Sequence, residues 1–476
     1  LDEEAMKRPV IYAILFLLLL LSSCAWHGPT LGDPDDIAYV PLRFDPPKAQ
    51  RLELENGIVL YMLEDHELPL VDISAVITMG SYYDPPGKEG LAEVTGTVMR
   101  TGGTESMPGD LIDEELDFAA GSINVSVGTE SCTVSMSVLE ENLDMGLRIF
   151  SDILMNPVFE NEKMELAKSL KMESLRRIRD NPQETAFRNF RRLIYRGDPR
   201  GRLASVESVS KIERDDMAQF HKRFFRPRNV MIAVSGDIKN EDAVKKIQNQ
   251  LGEWNTPGGR EIAPPPPSFG GAFMEYVFKD APQSVIIVGQ PAPGRDDSNY
   301  YAFEILDFIV GSGGFRSHVF AEVRNRMGLA YSAGSFYSPR TRFGIFGAYA
   351  MAKTSSTLDA LSAITDILDD VQDKGVDPEE LAWAKESIVN NYVFSFATSN
   401  RIVTGQMILE YDGLPDNFLT TYKNNIEKVS MDDVRNAARF LSVTNRVVLV
   451  LGDEGKFGKP LTSFGDFHRT DSTEGN

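Results

Sequence analysis

Histidines are the first residues to weigh, because a helical histidine pair is a common way for a protein to hold zinc. There are five: His27, His66, His221, His318 and His468, and no two lie within one helical turn. That spacing excludes a two-histidine metal site on one helix. Each histidine alone reads as a surface residue or a satisfied polar residue. Gly311-Ser312-Gly313-Gly314 is not followed by Gly-Lys-Ser/Thr, so it is no phosphate loop. It reads as a flexible turn before a helix. The two cysteines, Cys24 and Cys132, cannot make a disulfide framework. Cys132 sits in the strand-like run Cys132-Thr133-Val134-Ser135-Met136 and is expected as a small buried hydrophobe.

Cys24 has a different setting. Lys7-Arg8 precede a 12-residue apolar run, Val10 to Leu21. A membrane span needs about 20 residues, so the run reads as a signal peptide. It ends in Leu21-Ser22-Ser23-Cys24, which resembles a bacterial lipobox and implies lipidation at Cys24. Ala25 rather than Asp follows, and similarity to enterobacterial sorting rules then implies the outer membrane, facing the periplasm. Asp2-Glu3-Glu4 do not suit the positive flank of a signal, so translation is expected to start at Met6.

The remaining elements must come from a long chain. At about 100–200 residues per domain, 476 residues predict two large domains or three small ones. With 42% hydrophobic and 25% charged residues, the composition is globular. The net charge of −21, from 49 basic and 70 acidic residues, argues against a nucleic-acid partner. The acidity reads first as solubility and second as steering of basic peptides.

Between Arg51 and Thr78 the pattern predicts two strands, with Asn56-Gly57 as a tight turn. Helices are predicted over 142–155 and 161–180, the second stopped by Asn181-Pro182. Asn229 to Val234 reads as a closing strand. The Pro/Gly-rich stretch 256–271, with four consecutive prolines at Pro264 to Pro267, reads as a semi-rigid linker. Beyond it the first half recurs. Asp215-Asp216-Met217 returns as Asp432-Asp433-Val434, 217 positions on, and Gly236-Asp237 as Gly452-Asp453, 216 positions on. The expected layout is a signal peptide with lipobox (1–24), a tether (25–44), an N-terminal unit (45–255), the linker (256–271) and a C-terminal unit (272–470). The fold class is α+β, two homologous units, each an antiparallel-rich sheet with helices on one face.

Gly90-Leu91-Ala92-Glu93-Val94-Thr95-Gly96-Thr97 and its surroundings resemble the insulinase/pitrilysin family of zinc metallopeptidases. In that family Gly-Leu-Ala is followed by His-x-x-Glu-His, two zinc ligands flanking the glutamate that activates water. By this resemblance Glu93 and Thr97 stand at the histidine positions and Gly96 at the base position. The family's distal glutamate ligand corresponds to Glu173. On its own, Glu173 reads as a solvated or paired helix residue. Glu93 and Glu173 alone offer at most a carboxylate-only site for a hard cation, and Gly96 supplies no base.

The second half carries Phe320-Ala321-Glu322-Val323-Arg324-Asn325-Arg326-Met327-Gly328-Leu329-Ala330-Tyr331. This is similar to the family's second-domain pattern, in which an arginine and a tyrosine seven residues apart contact substrate. The resemblance implies that Arg324 and Tyr331 bind peptide. Without it, Arg324 reads as a surface ion pair with Glu322 or a neighbour, and Tyr331 as a core strand residue. The resemblance runs from Arg51 to Asp453 and implies the metallopeptidase fold of processing peptidases.

Heterodimeric members divide labour between a zinc-bearing subunit and a partner with a degenerate motif. The sequence matches the partner role: no catalytic residue and no cofactor of its own, a zinc-bearing sister subunit as partner, a peptide as substrate and a lipid anchor in the membrane. The alternatives are a structural or chaperone-like module that kept the fold, and a peptidase with an atypical metal site, against which the missing base argues.

Overall fold

The computed structural model describes residues 46–471. The signal segment, Cys24, His27 and the tether of residues 25–44 lie outside the described residues. The first half runs β1 (Gln50–Glu53), β2 (Val59–Glu64), β3 (Leu70–Ile77), α1 (Leu91–Thr101), α2 (Gly109–Phe118), β4 (Ser122–Val127), β5 (Cys132–Leu139) and α3 (Leu143–Met155). It continues with α4 (Asn161–Ile178), α5 (Pro182–Ile194), α6 (Val206–Ser210), α7 (Arg214–Phe224), β6 (Val230–Gly236) and α8 (Asn240–Leu251). The segment expected as two strands holds three, because buried Leu54 and Ile58 lie in the turn that folds β1 onto β2.

The second half runs β7 (Phe273–Phe278), β8 (Gln283–Ala292), α9 (Tyr300–Asp307), β9 (Ala330–Pro339), β10 (Gly344–Lys353) and α10 (Thr357–Lys374). It ends with α11 (Pro378–Tyr392), α12 (Ser399–Asp412), α13 (Phe418–Lys428), α14 (Met431–Ala438), β11 (Val447–Gly452) and β12 (His468–Asp471).

The two sheets have one topology. Their orders are β1-β2-β6-β3-β5-β4 and β12-β7-β11-β8-β10-β9. In each, the pair β2/β6 or β7/β11 is parallel, and β6 or β11 then pairs antiparallel with β3 or β8. Only the outermost strands break the match: β1 runs antiparallel to β2, whereas β12 runs parallel to β7. Strand alternation sets the core face. In β5, Cys132, Val134, Met136 and Val138 are buried while the residues between them are half-exposed. Cys132 is the buried thiol expected, and burial pushes its pKa up to about 12.

Each half also covers the other's sheet. Ala186, Phe190, Leu193 and Ile194 of α5 pack on Val285, Ile287, Val447 and Leu449 of the second sheet. Val403 and Met407 of α12 pack on Val59, Val76, Met231 and Ala233 of the first. Gly289 in β8 makes room for this exchange, since a Cβ there would lie 2.3 Å from Phe190 Cζ. The helices of each half therefore cover one face of its sheet, and a helix from the other half covers the second face.

Residues 256–271 form neither helix nor strand. They are fastened along their length by arginines. Arg200, Arg342 and Arg196 donate to the carbonyls of Pro265, Pro264 and Gly270 at 2.7, 2.8 and 2.9 Å.

Candidate functional site

Helix α1 presents Glu93, Gly96 and Thr97. Its start is fixed by Gly90, at φ +102°, and by Asp84, whose carboxylate accepts from the Gly90 and Ala92 N–H groups at 2.7 and 2.8 Å. Burial raises the Asp84 pKa to about 7. Glu93 points to α4, but it meets the Lys171 ammonium there and not Glu173. Residues 171 and 173 are roughly 200° apart around a helix, so only one of them can face α1. Glu173 instead accepts from Arg177 of its own helix at 3.0 Å, with Arg176 at 3.7 Å. Thr97 turns its hydroxyl back to donate to the Glu93 carbonyl at 3.0 Å. At Gly96 a Cβ would lie 2.5 Å from Val127 Cγ2 and 3.1 Å from Val125 Cγ1, so edge strand β4 closes onto the helix.

In the second half, α9 does not stop at a flexible turn before a new helix. It runs into a π-helical turn, Phe308–Ser312, and a single 3-10 turn, Gly314–Arg316, leads to a second π-helix, Phe320–Arg326. Such turns re-aim side chains within a helix and recur at functional sites. Gly311 packs against β9, where a Cβ would lie 2.3 Å from the Ser335 nitrogen. Gly314 has φ +75° and needs glycine.

Arg324 leaves the second π-helix with its guanidinium 4.7 Å from the Phe320 ring and 5.5 Å from the Tyr331 ring. Phe315 meets Phe320 edge-on at 4.9 Å. Tyr331 and Phe315 are each 75% exposed, so Tyr331 is a surface residue at the start of β9 and not core. Glu322 does not hold Arg324, because it pairs with Arg326. Among the described residues Arg324 has no hydrogen-bond acceptor and no ion-pair partner.

Residues 60–205 match the family described as "Insulinase (Peptidase family M16)", and residues 211–388 match its "inactive domain". The chain belongs to the insulinase family. Among its relatives is an uncharacterized zinc protease of Rickettsia felis, 24% identical, over 83% of this chain and 96% of the relative. Another is a non-peptidase homolog of Helicobacter pylori, 25% identical, over 78% of this chain and 86% of the relative. A solved structure of a peptidase M16 inactive domain from Pseudomonas fluorescens superposes with a TM-score of 0.79 at 21% identity. That match covers 87% of this chain and all of the other, and it shows the shared α+β fold.

The residues at this insulinase-family chain's metal positions do not fit zinc. Glu93 is engaged by a cation, Gly96 offers no donor, Thr97 is turned to its own backbone, and Glu173 lies on another face of α4. Among the described residues no group of three or more histidine, cysteine, aspartate or glutamate side chains is placed to hold a metal ion. Of the remaining histidines, His66 lies 2.6 Å from Asp237, His318 lies 2.5 Å from Glu380, and His221 is buried against Phe225. Lys171 was not legible from spacing, because spacing marks ligand positions and not the cation that replaces a ligand.

Proposed function

We propose that this chain is a non-catalytic, peptide-binding subunit of an insulinase-type zinc peptidase, paired with a zinc-bearing sister. The observation that carries the reading is Arg324. Its guanidinium lies over the Phe320 and Tyr331 rings, and among the described residues none of its donors is used. A guanidinium held in this way offers a fork to a peptide carbonyl, and the Tyr331 hydroxyl, without a hydrogen-bond partner among the described residues, can donate to the same backbone. Strand β4 adds a second support. It lies at the end of its sheet and pairs only with β5 among the described residues, which leaves an edge for an extended peptide. The first-half site supplies no metal and no general base, so bond cleavage falls to the sister. The lipid anchor at Cys24 places the complex at the periplasmic face of a bacterial outer membrane.

The test is co-expression with an envelope relative that carries an intact His-x-x-Glu-His. The expected product is a stable complex that cleaves unfolded peptides. Arg324→Ala should lower kcat/KM by about tenfold or more, the effect of a lost charge-assisted hydrogen bond. Assembly should be unaffected. Unchanged turnover in both Arg324→Ala and Tyr331→Phe would refute the role of the pair.

A further inference from the structure

A small cavity lies where the two halves meet, just past the end of β4. Its volume is about 220 Å³, below the ~300–1,000 Å³ of sites that enclose a whole small molecule. It has room for one side chain or one chain terminus. Phe187 and Phe190 of α5 and Phe336 of β9 give it aromatic walls, and Arg191, Arg340 and Thr129 give it polar groups.

The cations of this cavity are unequal. Arg200 is engaged by Glu130 at 2.5 Å and Asp198 at 2.9 Å, and that contact also neutralises Glu130, the one carboxylate lining the space. Arg191 is largely shielded from water, yet its Nε donates only to the Arg200 carbonyl at 2.9 Å. Its Nη2 makes only long contacts, 3.4 Å to Ser81 Oγ and 3.3 Å to Thr129 Oγ1. Among the described residues neither Arg191 nor Arg340 has an ion-pair partner. Arg340 repels Arg191, and burial together with that repulsion pulls the Arg191 guanidinium below its usual range. A desolvated cation without a counter-charge is unfavourable, and a bidentate carboxylate is the ligand that best relieves it. Phosphate-sized anions do not explain the three phenylalanines; a carboxylate on an apolar stem does.

We infer that this cavity takes a peptide carboxylate, from an acidic side chain or a free C-terminus, between Arg191 and Arg340. The inference rests on the peptide-binding reading above and assigns the acidic class of peptide to it. Thr129 and Glu130 lie in the turn between β4 and β5, separated from the end of β4 by one residue, so a peptide laid along that edge leads toward the cavity.

Fluorescence anisotropy of the full chain tests this with three labelled peptides of one sequence: an amidated peptide with a central Gln, its Gln→Glu version, and the Gln peptide with a free C-terminus. At least one carboxylate-bearing peptide should bind about tenfold more tightly than the neutral one, and the pair of comparisons tells side chain from terminus. Arg340→Gln, at an exposed site that does not endanger folding, and Arg191→Gln should each remove most of that difference. Both should leave the neutral peptide within twofold. Equal binding of all three peptides overturns the inference and leaves the peptide-binding reading intact. If no peptide binds, that reading fails, and titration with 3-phenylpropanoate alone then decides the cavity. A thermal shift lost in Arg340→Gln supports it, and no shift in the unaltered chain overturns it.

Discussion

Gly96 is the position where a catalytic glutamate would stand, and its replacement by alanine tests whether the site has closed. Two effects compete. Alanine is favoured over glycine inside a helix by about 1 kcal/mol. Against this, the new Cβ would lie 2.5 Å from Val127 Cγ2 and 3.1 Å from Val125 Cγ1. Overpacking of this kind costs about 1–3 kcal/mol. Val127 is half-buried on an edge strand and can yield somewhat. Gly96→Ala is therefore expected to destabilise by about 1 kcal/mol net. In a Val127→Ala background the closer obstacle is gone and only the 3.1 Å approach to Val125 Cγ1 remains, so the same change should stabilise by up to about 1 kcal/mol. The coupling between the two substitutions is then about 2 kcal/mol, large enough for a double-mutant cycle in urea. Gly96→Ala that stabilises equally in both backgrounds would show that β4 does not fill the base position, and the account of the closed site would fall.

Other substitutions examine other parts of the molecule. Burial holds His221 neutral, with its pKa lowered to about 4, while Nε2 contacts the Leu154 carbonyl at 3.0 Å. A lowered folded-state value means the contribution is present above pH 6.5 and lost as pH falls toward 4. The loss is about 3 kcal/mol, and His221→Gln should flatten the fall of urea stability between pH 7 and 4. Phe190→Ala should destabilise by about 3–5 kcal/mol, and Trp254 and Trp383 fluorescence should report one shared transition, since α5 belongs to the first half and packs on the second sheet. Separate transitions would argue against that interdependence. Lys171→Met removes the partner of Glu93, whose side chain is 40% exposed, so stability should change by less than about 1 kcal/mol. Elemental analysis of that variant should find no stoichiometric zinc, because removing the cation leaves Gly96 and Thr97 without suitable donors.

The duplication was legible because it is local. Short blocks such as Asp215-Asp216-Met217 and Asp432-Asp433-Val434 open equivalent helices, α7 and α14, that lead into equivalent strands, β6 and β11. The exchange of α5 and α12 was not. Periodicity marks Ala186, Phe190 and Leu193 as an apolar face, but it does not say which sheet that face meets. The three-strand start was missed because buried turn residues, Leu54 and Ile58, look like strand positions. Arg324 and Tyr331 were found by resemblance and do come together. The aromatic partner Phe320 was not, because the π-helical turn that brings it under Arg324 has no simple residue signature.

The two halves of the site differ in how their polar groups are satisfied, and that difference carries functional weight. In the first half each altered position has acquired an internal role. Lys171 neutralises Glu93, the Thr97 hydroxyl bonds its own helix, and Gly96 admits Val127. None of these three positions is left needing a ligand. In the second half Arg324 has no hydrogen-bond acceptor or ion-pair partner among the described residues, although Glu322 lies two residues away and is taken by Arg326. A chain selected for stability alone would gain little from a guanidinium without a described partner beside the half-buried Phe320 and the exposed Tyr331, because surface ion pairs are worth little and exposed aromatic area favours association. Under the proposed function, retaining that arrangement while closing the metal site is what would distinguish a chain that contacts a peptide from one that keeps the fold only as a scaffold.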